Sequence, residues 1–181
     1  MKIQKAFLPV LMLVVLLVSS CKKDPVNPND GELITTVKVE FIESVSGTKQ
    51  SFVFRDLDGE GGNAPSKFEE ISLSANKTYK YEVYLLNESV TPVDDITLEI
   101  EAEADDHQFY YTPSFPALTI SNLNKDSKNL PLGTEATWST GAASTGTVNI
   151  TLKHKPGTKA AGDPISKGDT DVSIDFKVKI Q

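Results

Sequence analysis

One cysteine, one tryptophan and two histidines are all that 181 residues supply of these types. A single thiol excludes an internal disulfide, so packing, with or without a bound metal ion, has to stabilise the domain. Basic runs are missing as well. With a formal net charge of −7 and no lysine cluster that reverses the sign locally, the chain repels nucleic acid, which is not an expected partner. There is no GxSxG elbow, no HExxH or His-x-His pair and no glycine-rich phosphate loop, and the histidines have no evident nucleophile beside them; the expectation is a protein that is not an enzyme. No apolar run reaches the about 20 residues that a membrane span needs.

What is present begins at the N-terminus. Lys2 and Lys5 precede an apolar run from Ala6 to Val18, and two serines follow, which is the layout of a secretory signal over residues 1–20. The stretch Val18-Ser19-Ser20-Cys21 resembles a bacterial lipobox, in which the cysteine is lipidated and becomes the new N-terminus. Cys21 is therefore the expected lipidation site and the link to a membrane. Acyl chains hold a protein to a bilayer because each buried methylene contributes about 0.8 kcal/mol. Residues 21–31, rich in Pro, Asn, Asp and Gly, read as a flexible tether. Lys22, Lys23 and Asp24 resemble the charged signals that follow the cysteine in lipoproteins of the Bacteroidota. The expected address is the outer membrane, with the periplasmic and cell-surface faces both open.

From residue 32 to residue 181 the chain is long enough for one domain with a real core. Period-two alternation dominates it. Val37, Val39 and Phe41 share one face, as do Phe52 and Phe54, then Tyr79, Tyr81, Val83 and Leu85. Val148, Ile150 and Leu152 repeat the pattern, and Val172 to Ile180 closes it. Weaker strand candidates are "KFEEISLS", "ALTISNL" and "TEATWST". Turn-rich connectors separate the runs, so the expected fold is all-β: a single antiparallel β-sandwich of Ig-like or Greek-key type with about seven to nine strands. The long connector before the last strand is compatible with a Greek-key return. Residues 92–107 are ambiguous, because Ile96, Leu98 and Ile100 alternate while Ile96, Ile100 and Ala104 recur every four residues. Thr91 before Pro92 offers a helix cap, so a short helix near 92–107 competes with a strand.

Acidic clusters supply the candidate site. In "DLDGEGGNAP", Asp56, Asp58, Glu60 and Asn63 bring oxygen ligands to a glycine-rich loop, as calcium requires with its about six to eight oxygens. The loop lacks the closing glutamate of an EF-hand, and a solvated hairpin turn is the plain alternative. His107 beside Asp105 and Asp106 is the better histidine for zinc, since His154 is flanked by Lys153 and Lys155, whose charges oppose a cation. The candidate metal ligands are thus Asp56, Asp58, Glu60, Asn63, Asp105, Asp106 and His107, with calcium or zinc as the ion. Trp138, Tyr110 and Tyr111 are candidate sugar-stacking rings if exposed; core packing is the alternative.

The segments "ELITTVKVEF", "FRDLDGEGGNAP", "EADDHQFYY", "NLPLG" and "DVSIDFKVKI" resemble, across nearly the whole domain, a family of small Bacteroidota lipoproteins with ELITTV, RDLDGxG and HQFxY motifs. That resemblance implies proximity to TonB-dependent outer-membrane receptors and no established reaction. The expected function is a lipid-anchored cell-envelope binding protein, accessory to such uptake, that binds a metal ion through acidic loops. The alternative is a surface glycan-binding or adhesive lipoprotein with no metal role. The two part on whether the acidic loops converge and whether Trp138 is exposed.

Overall fold

The computed structural model describes residues 33–59 and 62–181. The signal, Cys21, the tether and Glu60 lie outside the described residues. Among those described, no helix is long and apolar enough to cross a membrane.

Two sheets face each other. The larger holds β1 (Thr36–Glu43), β2 (Lys49–Arg55), β3 (Lys67–Phe68), β5 (Thr78–Asn87), β6 (Asp94–Asp95), β8 (Leu118–Ser121) and β9 (Glu135–Thr140). Their order is β3-β2-β1-β5-β9-β8, with β6 on the end of β5. The smaller sheet has the order β4-β11-β10-β7, where β4 is Ile71–Leu73, β7 His107–Pro113, β10 Ser144–His154 and β11 Asp169–Ile180. This is the expected all-β sandwich, with more strands than the alternation suggests because β3, β4 and β6 are only two or three residues long.

The alternation sets the register. Val39 lies opposite Phe52 on one side and Val83 on the other, so three apolar side chains share an inward rung. Between the sheets, Phe41 meets Trp138 edge to face at 5.0 Å, Tyr81 stacks on Trp138 at 4.8 Å, and Tyr81 meets Tyr111 at 5.4 Å. Phe176, Val178 and Ile180 close the core from β11.

Three details depart from expectation. β4 pairs parallel with β11, because the chain crosses from β3 to the other sheet and back to β5 without a hairpin. The long connector, residues 155–168, joins β10 and β11 as an antiparallel hairpin rather than a Greek-key return. The ambiguous segment resolves to a helix, α1 (Ile96–Ala102), shorter than 92–107. Its cap is Asp95, whose carboxylate accepts from the Thr97 amide, and not Thr91. Ile96 and Ile100 are buried while Leu98 is 64% exposed, so the four-residue period wins over the two-residue one. α1 packs on β5 and delivers the chain to His107, where the site begins.

Candidate metal centre

At one end of the smaller sheet, β7 starts with His107 and β10 finishes with His154, directly opposite each other; His154 in turn faces Asp169 at the start of β11. Both histidines continue core alternations. His107 precedes Phe109 and Tyr111 by two and four residues, and His154 follows Leu152 and Ile150 in the same way, so both rings take the inward face of the sheet. There they stack, centroids 4.5 Å apart and planes 5° from parallel. The chain turning from α1 into β7 adds Glu103, and one ligand atom from each of Glu103, His107 and His154 lies within 4.8 Å of the others.

His107 is wholly buried and held. Its Nδ1 is 3.1 Å from the Glu103 carbonyl oxygen, a contact in which Nδ1 must carry the proton, which leaves Nε2 as the ligating nitrogen of a neutral ring. Nε2 stands 3.9 Å from Oδ2 of Asp171. Asp171 arrives there at a bulge, where the register shifts so that Val172 faces Leu152 and Thr170 faces Lys153. A bulge re-aims one side chain, and here it tucks a carboxylate, 1% exposed, against His107. Asp171 also lines a cleft of about 560 Å³ with Leu33, Phe54, Asp56 and Gly59.

The lysines around His154 point elsewhere. Lys153 donates to Thr170 Oγ1 at 2.7 Å. Lys155, fully buried, donates to Gln108 Oε1 at 2.9 Å and to the Tyr110 hydroxyl at 2.5 Å, and its ammonium sits over the Tyr110 ring. Burial pulls the Lys155 ammonium below its ordinary value, with Asp163 opposing. Lys159 pairs with Asp126 at 2.8 Å, both side chains almost wholly buried, and donates to the Ala104 carbonyl at 2.7 Å. Burial pushes the Asp126 carboxyl up, but Lys159 and the Leu130 and Lys128 amides outweigh it and hold it below the usual range. These contacts pin the 155–168 connector onto the turn that carries Glu103.

Of the six expected ligands among the described residues, only His107 falls in this group. Asp105 accepts from the Ser127 hydroxyl at 2.8 Å and pairs with Lys128 at 3.3 Å; Asp106 accepts from the Gly157 amide at 2.8 Å. Both carboxylates tie loops together beside the site. In the acidic loop, Asp58 accepts from the Asn63 amide at 2.9 Å and from its side chain at 2.6 Å, which closes the turn on itself. Asn63's two donors hold the Asp58 carboxyl below its ordinary value. Asp56 lines the cleft that Asp171 borders.

The ring candidates go to structural work. Trp138 is 0% exposed and sits in the core. Tyr111 donates to the Gly133 carbonyl, and Tyr110 donates to the Asp163 carbonyl at 2.8 Å while receiving Lys155. No exposed aromatic platform forms from these three.

Sequence reasoning missed Glu103 and His154. The signal for His154 was there: neighbours in a strand point to opposite faces, so Lys153 and Lys155 do not share its environment. Asp171 carried no such signal, because its bulge inverts the alternation locally. Comparisons with family models, with curated proteins and with solved structures find no match to this chain.

Proposed function

We propose that this chain is a lipid-anchored cell-envelope binding protein that serves as an accessory to a TonB-dependent outer-membrane receptor and holds a metal ion. The anchor and the address rest on Cys21 and the residues before and after it. The observation that supports the ion is the grouping of the two inward-facing histidines, His107 and His154, with the exposed Glu103 at the sandwich end. Two imidazoles and a carboxylate suit zinc or a similar divalent transition metal, whereas calcium takes oxygen ligands in larger number. The ion thus belongs to the histidine group, and the acidic loop serves as a turn.

Thermal melts of the full chain in detergent, with zinc, calcium or chelator, test this. Zinc at a hundred times its dissociation constant adds about 2.7 kcal/mol of stability. The expected result is a rise with zinc alone that His107→Ala abolishes and Asp56→Ala plus Asp58→Ala leaves in place. A calcium-specific rise lost in the double variant would return the ion to the loop, and identical melts throughout would remove the metal from the proposal.

A further inference from the structure

The two ends of the sandwich carry unequal apolar surface. At one end the β1 to β2 hairpin, the turn from β4 into β5, the connection from β9 to β10 and Gln181 meet. The Ser44 amide donates there to the Thr78 carbonyl, Asn76 to Gly141 and Ala75 to Gln181. Val45 is the exposed large apolar residue of that end. At the other end, Leu33 precedes β1, Leu57 follows β2, and Val90 and Val93 lie in the loop from β5 to β6. Thr35 ties these three segments together. Its amide donates to the Leu86 carbonyl, its hydroxyl accepts from the Glu88 amide, and its carbonyl accepts from the Asp56 amide. The four apolar side chains are 45–54% exposed. A lone exposed apolar residue is ordinary, whereas a group on adjoining loops marks a surface that meets a partner or a membrane.

The route of the chain favours a membrane. Residues 21–32 link Cys21 to Leu33, so the anchor enters the domain at the end that carries the apolar group. That segment reaches about 40 Å at full extension. β11, with 12 residues, is itself about 40 Å long, so only a fully stretched link would let the Val45 end touch the bilayer. A short link also gives a weak contact a high local concentration of its target, so the apolar group need not hold the protein by itself. Asp58, Glu88 and Asp95 share this end, held by Asn63, by Arg55 and by the Thr97 amide. Their sign opposes anionic headgroups, and the surface therefore fits zwitterionic lipid.

We infer, on the footing of the lipid anchoring proposed above, that the loops carrying Leu33, Leu57, Val90 and Val93 rest on the zwitterionic phospholipid surface that holds the acyl chains of Cys21. The Val45 end then faces away from the bilayer. The histidine group stays on the membrane side, because His154 ends β10 opposite the start of β11, which shares a cleft with Leu33.

Cys21 is the only cysteine and lipidation consumes it, so an introduced thiol takes a single label. The test places the lipidated chain, bearing an environment-sensitive dye at Val90→Cys or Val45→Cys, on phosphatidylethanolamine and phosphatidylcholine vesicles that contain doxyl-bearing lipid. Expected are a blue shift and lipid quenching of the dye at position 90, and neither at position 45. Adding Leu57→Ser and Val93→Ser, or exchanging the zwitterionic lipid for phosphatidylglycerol, should weaken the quenching. A chain that fails to float with the vesicles removes the lipid anchoring and this inference together. A chain that floats with both dyes unquenched, or with both quenched alike, leaves the anchoring and overturns the docking surface. A blue shift at position 90 without lipid quenching assigns the apolar group to a protein neighbour, a second copy of the chain included, and also overturns the proposal.

Discussion

The loop from Asp56 to Asn63 and the rung from His107 to His154 both concentrate side chains that ligate metals, and they are built in opposite ways. The loop gathers its oxygens along a few consecutive residues at the surface. Such a segment satisfies itself, and Asp58 does so by closing on Asn63. The rung brings His107 and His154, from strands far apart in the chain, together on a buried inward face, with the exposed Glu103 at its edge and a rigid sheet fixing the spacing. Local density of ligand types marks a turn as readily as it marks a site. Convergence from distant segments at a buried face is the more informative property.

The largest effect should come from the ion pair that supports the rung. Lys159→Ala removes the only cation paired with the buried Asp126 carboxylate among the described contacts, together with the bond to the Ala104 carbonyl. A buried charge left without its partner costs about 3–5 kcal/mol. Denaturant unfolding should register that loss, and zinc affinity should fall with it because Ala104 follows Glu103. A variant as stable as wild type would mean that the connector does not support the rung.

Gly168 comes next. It adopts φ +81°, and a Cβ there would meet the His154 carbonyl oxygen at 2.3 Å and Lys155 Cγ at 2.6 Å. Gly168→Ala should cost about 1–3 kcal/mol through backbone strain alone and also push the end of β10 from β11, which displaces His154. Alanine at Gly59, whose φ is +75° but whose Cβ would meet nothing within 4 Å, should leave the rung untouched. Zinc titration of the two variants sharpens the contrast between the regions; equal losses would blur it.

Much of the fold could be read from alternation, since Val37 to Phe41, Tyr79 to Leu85 and Val148 to Leu152 each bury the face that the pattern marks. Extended to His107 and His154, the same rule would have put both histidines on the inward face. Charge proximity along the chain pointed the other way, and it misled because Lys153 and Lys155 sit on the opposite face and are bonded to Thr170 and Gln108. Trp138 looked polar in context only because Thr137 and Ser139 alternate with it. The strand signal of Ile96, Leu98 and Ile100 failed since two periods fit three residues equally well, and only packing on β5 decides between them. The Asp171 bulge and the parallel docking of β4 are products of three-dimensional fit and leave no local trace.

The smallest expected effect concerns the loop itself. Asn63's backbone and side-chain donors lower the Asp58 carboxyl below its ordinary value, so this contact stabilises the folded chain fully above the unfolded carboxylate range near pH 4 and loses that contribution as the pH falls through the lower folded value. Asp58→Asn removes the titration. At neutral pH the variant should lose only the loop's own order, visible as faster amide exchange at Asn63, with zinc binding intact. Below pH 4 its stability should fall less steeply with acid than that of wild type. An unchanged acid slope would show that the Asp58 to Asn63 closure does not persist in solution, and an acidic loop left open in that way would regain its standing as a cation site.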